Sequence, residues 1–98
     1  MKRVVIDTSD VCTREALHDV FKQQLELPDY YGKNLDALWD CLTGWVDLPL
    51  TVEWHGFHEA HSRIGDYADR ALETFRQAQS ELDDFSVVVV ERDSALGS

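Results

Sequence analysis

Two carboxylates four residues apart, Asp36 and Asp40, lie in a segment dense with rings, YYGKNLDALWDCLTGWVD from Tyr30 to Asp47. On a helix that spacing stacks both side chains on one face. Like charges so placed repel by about 0.2–0.5 kcal/mol in an isolated helix. Asp36 would recover part of this in the first turn, near the positive end of the helix dipole, whereas Asp40 would sit toward the negative end. A local misfit of that kind marks function more often than folding. Tyr30, Tyr31, Trp39 and Trp45 bracket the pair, and one helical face cannot bury all four. Rings that exclude water around fixed carboxylates have the composition of a protein-binding hot spot. Lys33 is the one basic residue of the segment. The chemistry on offer is acceptance of hydrogen bonds from Arg, Lys or protonated His. The plainer alternative makes the tryptophans core, the tyrosines a loop staple and the aspartates a solvated face.

Other chemistries fit less well. His55, His58 and His61 have HxxHxxH spacing near Glu53 and Glu59. On a helix they drift around the axis, and Gly56 weakens a helix there, so a solvated polar turn is favoured over a metal site. Asp36 and Asp40 do not face each other across a cleft as a glycosidase pair does. No Gly-rich phosphate loop, nucleophile elbow or HExxH motif is present. The chain reads as a non-enzyme with no cofactor and no resident metal.

The elements that must hold the acidic segment follow from periodicity. Arg3 to Ile6 is a short β-branched run ended by polar residues. Thr13 is a good N-cap for a helix with Ala16, Leu17, Val20, Phe21, Gln24 and Leu25 on one face, ended by Pro28. Residues 29–33 form a loop. Asn34 then caps a short helix facing the core with Leu35, Leu38, Trp39 or Cys41, and Leu42, closed at Thr43-Gly44. Leu50 to Trp54 alternates as a second strand, and Gly56 to His61 forms one irregular helical turn. Asp66 or Tyr67 opens a longer helix with Ala68, Ala71, Leu72, Phe75 and Ala78 at helical spacing. Phe85 to Val90 is a strand whose four valines call for cover on both faces. Strands separated by helices favour parallel pairing. The expected fold is α/β, a small three-stranded parallel sheet packed with about four helices. Its domain spans 1–91, followed by a frayed tail over 92–98.

Composition bounds the partners. Ninety-eight residues with 44% apolar content support one domain with one core. A net charge of −10 opposes binding to nucleic acid or an anionic membrane and favours cationic surfaces. The basic start Met1-Lys2-Arg3 is followed by too short an apolar run for a secretory signal. Nothing approaches the roughly 20 apolar residues of a membrane span. Cys12 and Cys41 form no CxxC pair and read as reduced thiols. A cytoplasmic location is therefore expected.

The ungapped stretch from Leu27 to Trp45, LPDYYGKNLDALWDCLTGW, resembles the signature of the barstar family, intracellular inhibitors of barnase-type ribonucleases. The likeness continues more weakly across about ninety residues, through Val52-Glu53-Trp54, Phe75-Arg76 and the valine strand, and leaves out the tail after Glu91. It implies a three-stranded parallel sheet with helices. It also implies a partner, a basic ribonuclease whose active site is plugged by the second helix and the loop before it. By that likeness Asp40 enters the phosphate pocket, facing arginines and the catalytic histidine. Asp36 pairs with another arginine, and Tyr30 stacks near the histidine. Tyr31, Asn34, Leu35, Trp39, Thr43, Gly44 and Trp45 belong to the same contact surface, with Gln77 on the later helix. The inhibitor would be a monomer alone and a 1:1 heterodimer with the nuclease. Two positions depart from the pattern. Gln77 stands where the family has a contacting glutamate, and Asp83 stands where it has a second cysteine, while Cys12 is additional. The alternatives are an immunity protein or antitoxin against a different ribonuclease toxin, or an acidic mimic that binds another basic protein.

Overall fold

The computed structural model describes residues 2–90. The expected tail over 92–98 lies outside them. Along the chain run β1 (Lys2–Asp7), α1 (Arg14–Leu25), α2 (Leu35–Gly44), β2 (Leu50–His55), α3 (Phe57–Ile64), α4 (Asp66–Glu81) and β3 (Phe85–Val90). The strands form one parallel sheet in the order β1-β2-β3. The expected α/β fold of three parallel strands and four helices is the observed one.

The register shows how the strand sequences divide between two faces. Val4, Val52 and Val87 lie side by side, as do Ile6, Trp54 and Val89. These rows point toward the helices, because successive strand side chains alternate. Leu17, Phe21 and Leu25 of α1, Leu38 and Leu42 of α2, and Phe75 of α4 complete the core. Ala68, Ala71 and Ala78 are buried along α4, where small side chains let the helix lie close. Phe21, Trp54 and Phe75 meet edge to face with centroids 5.2–5.6 Å apart, a favoured aromatic geometry. Deep in this cluster the Trp54 indole N–H donates to Thr8 Oγ1 at 2.9 Å. Thr8 in turn donates to the Gly56 carbonyl at 2.8 Å, so the buried polar groups are satisfied.

Two expectations are corrected. The valine strand is not covered on both faces. β3 is an edge strand, and its outward row carries Ser86, the 49%-exposed Val88 and the half-buried Val90. All the buried helix faces meet the other side of the sheet, so alternation within a four-valine run leaves one side open. The edge is blunted from above, where the Val87 N–H donates to Gln79 Oε1 at 2.8 Å. The segment after Gly56 is also more regular than one turn, since α3 runs eight residues. Gly56 precedes this helix instead of interrupting it. Its φ is +76°, and a Cβ there would stand 2.5 Å from the Ser9 backbone nitrogen. Close chain approach and left-handed geometry together demand glycine.

Candidate functional site

α2 presents two unlike sides to its surroundings. Leu38, Cys41 and Leu42 are buried, whereas Asp36, Asp40, Thr43 and Gly44 are exposed. The exposed set follows i, i+4, i+7 and i+8, one stripe along the helix. Asn34 starts the helix. Its Oδ1 accepts the Ala37 N–H at 2.7 Å and its Nδ2 donates to the Gly32 carbonyl at 3.3 Å. Both polar atoms of this residue are thus engaged in building the turn. Thr43 Oγ1 donates back to the Trp39 carbonyl at 2.8 Å. Gly44 faces open space, and a Cβ there would meet nothing within 4 Å.

Asp36 and Asp40 make no ion pair and no side-chain hydrogen bond among the described residues. Exposed carboxylates of this kind can accept charge-assisted hydrogen bonds from cationic groups. The Cys41 thiol beside Asp40 is pushed up by burial and then by that carboxylate, so it stays protonated and packs as an apolar group. Cys12 is exposed and far along the chain.

The four bracketing rings separate into distinct positions. Tyr30 is 80% exposed and Trp45 47% exposed. They meet edge to face at 6.2 Å. The Trp45 indole donates to the Glu26 carbonyl at 3.1 Å, fastening the end of α2 to the end of α1. Glu26 closes α1 in the left-handed conformation, φ 55°, which ends the helix ahead of Pro28. Trp39 is half-buried against the core. With Leu35, Asp36, Thr74 and Gln77 it lines an open hollow of about 260 Å³ between α2 and α4. Gln77 is therefore brought beside the acidic stripe. Tyr31 differs from expectation, since only 6% of it is exposed. It belongs to the layer beneath the surface.

That lower layer is what sequence reasoning missed. His18 of α1 is fully buried, with Tyr31 Oη 2.6 Å from Nδ1 and Tyr67 Oη 2.7 Å from Nε2. One buried imidazole thus ties α1 to the loop before α2 and to α4. Burial holds its pKa down to about 4, against a smaller opposing pull from Asp19. The ring is neutral at pH 7, with one nitrogen donating and the other accepting. Burial likewise drives both tyrosine hydroxyls upward. The available signal was the spacing of His18, Phe21 and Leu25, which sets the histidine on the core face. Above this layer Lys33, at φ 55°, bridges Asp19 at 2.8 Å and Glu15 at 3.6 Å. These pairs raise its pKa, led by the Asp19 hydrogen bond, and hold the loop against α1.

The histidine triplet does not converge. His55 Nε2 lies 3.3 Å from Glu53, and His61 Nε2 lies 3.0 Å from Asp69. Among the described residues, the group with metal-ligand spacing is instead His61, Asp66 and Asp69, at the α3–α4 corner. No described helix is long and apolar enough to cross a membrane.

The site is therefore an acidic helix face set on a hydrogen-bonded base, with no side-chain partner for either carboxylate among the described residues. A family profile described as Barstar (barnase inhibitor) matches residues 1–91. The chain belongs to the barstar family. A protein of Bacillus subtilis (strain 168) named "Putative ribonuclease inhibitor YrdF" is 51% identical over 90 residues, covering 91% of this chain and 99% of that protein. Membership of the barstar family makes the chain a ribonuclease inhibitor and not an enzyme.

Proposed function

We propose that this protein inhibits a basic, barnase-type ribonuclease by seating α2 in its active site, with Asp40 and Asp36 standing in for RNA phosphate. The observation that carries the reading is the pair of exposed carboxylates on one helix face, unpartnered among the described residues and flanked in the chain by the exposed Tyr30 and Trp45. A ribonuclease holds phosphate with Arg, Lys and protonated His, and carboxylates meet the same groups with charge-assisted hydrogen bonds. The exposed rings shed water over those pairs and strengthen them. A net charge of −10 steers the inhibitor toward a positive enzyme and accelerates encounter. The general magnitudes for steering and for aspartate hot spots come in part from barstar itself, so they are shared with the family and not independent of it. The complex is 1:1 and forms in the cytoplasm, where the inhibitor protects the cell's own RNA.

Inhibition of a purified barnase-type ribonuclease by the wild-type protein and by Asp40→Ala, at low and high salt, tests this. Potent inhibition, lost in the variant and slowed in onset by salt, is expected. An onset indifferent to ionic strength contradicts steering. The neutral Gln77 beside the acidic stripe favours one second reading, a different ribonuclease toxin as the cognate partner. Failure against the barnase-type enzyme together with inhibition of such a toxin selects it.

A further inference from the structure

The acidic stripe has a basic shoulder. Arg14 at the start of α1, Lys33 in the loop and Arg70 on α4 surround an open hollow of about 410 Å³, with Tyr67, Leu35 and Asp36. In a chain of net charge −10, three of its nine cations meet at this one place. Their roles differ. Lys33 is held by Glu15 and Asp19. The Arg14 guanidinium lies 4.6 Å over the Tyr67 ring, a cation–π contact that holds it at the hollow. Neither Arg14 nor Arg70 makes an ion pair among the described residues. The hollow is continuous with the proposed interface, because Leu35 and Asp36 line both it and the α2–α4 hollow that holds Gln77. Along α4, Tyr67, Arg70, Thr74 and Gln77 form one stripe at helical spacing that lies opposite the acidic helix and continues to Glu81, with Asp66 and Glu73 one turn either side of Arg70.

We propose that this shoulder receives a carboxylate of the ribonuclease, presented next to the cation that meets Asp36, and so selects which nuclease is bound. The inference rests on the ribonuclease-inhibitor reading above. A planar guanidinium held on a ring can donate two parallel hydrogen bonds to a carboxylate. The same cations repel a nuclease that carries Lys or Arg there, so the shoulder discriminates by repulsion as well as attraction.

The test uses a conflict of signs. Arg70→Glu makes the −10 chain more negative by two charges, so long-range steering alone predicts faster association with a basic nuclease. A local carboxylate partner predicts weaker binding. Association and dissociation of the purified barnase-type ribonuclease are measured for wild type, Asp40→Ala, Arg70→Glu, Arg70→Gln and Arg14→Glu, with thermal melting to confirm folding. The expected result is at least about tenfold weaker binding for either glutamate variant, mostly in dissociation, and a smaller loss for Arg70→Gln. If wild type binds, Asp40→Ala does not, and Arg70→Glu binds as well as or better than wild type, the shoulder is not a selector. If wild type itself fails to bind, the functional reading falls first and the shoulder with it.

Discussion

Tyr30 and Tyr31 are neighbours in the chain and opposites in the structure. Tyr30 is 80% exposed beside Trp45, while Tyr31 is 6% exposed and hydrogen-bonded to His18. The contrast extends to the regions around them. Above lies a surface whose carboxylates have no partner among the described residues. Beneath lies a layer in which His18, Tyr31 and Tyr67 satisfy one another. On the proposed function, the upper region is the one a partner completes, and the lower one supports it. Substitutions above should therefore move binding, and substitutions below should move stability.

Asp40→Ala is the strongest attempt to break that division. Binding should weaken by about 2–5 kcal/mol, chiefly because the nuclease's own buried charges lose their partner. Stability should hold or rise by about 0.3–1 kcal/mol, because the change removes repulsion with Asp36 and a negative charge toward the helix C-terminus. Titration of the nuclease alongside denaturant melts measures both. A binding loss under about 0.5 kcal/mol would take Asp40 out of the hot spot, and a parallel fall in stability would erase the distinction between regions.

Acid should act on the lower region. His18 titrates near 4 in the folded chain against 6.5 ordinarily, so the unfolded state binds more protons between those values. His18 thus contributes full stability above pH 6.5, and that contribution falls as pH drops toward 4. The loss is on the order of 2–3 kcal/mol across the window. Denaturant unfolding of wild type and His18→Gln at several pH values reads it as the difference between two slopes. Equal slopes would mean that the buried imidazole is not the group responsible. Tyr31→Phe is smaller again. It strips one partner from His18 and should lower stability by about 1–3 kcal/mol while leaving most of the affinity intact. Affinity falling further than stability would place Tyr31 in the contact itself.

The two regions were not equally legible in the sequence. The upper one announces itself, because unlike residues crowd together and Asp40 is wrong for its place on a helix. The short helix, its Asn34 cap and the parallel strands follow from local rules that the structure keeps. The lower region is assembled from positions far apart in the chain, His18, Tyr31 and Tyr67, and no local rule brings them together. A polar residue on an apolar stripe was the one visible sign. The open outer face of β3 was hidden for a related reason. A run of valines has no alternation of its own, and only the placement of the helices decides which side stays bare.

A second acidic place supplies the weakest and most selective comparison. Asp66 and Asp69 lie in the first turn of α4, and Asp69 pairs with His61 at 3.0 Å. Here the helix dipole favours the negative charge, and the His61 ring lies within hydrogen-bond reach of the Asp69 carboxylate, which therefore already has a neighbour in its own chain. Exposed pairs of this kind contribute at most about 1 kcal/mol. Asp69→Asn should therefore lower stability by about 0.3–0.5 kcal/mol and leave inhibition unchanged at any one ionic strength. Asp40→Asn removes the same charge from the same net total. If both variants weakened inhibition alike, overall charge would be the agent, and the geometry of α2 would lose its claim. A loss confined to Asp40→Asn assigns the effect to where the carboxylate stands and not to how many the chain carries.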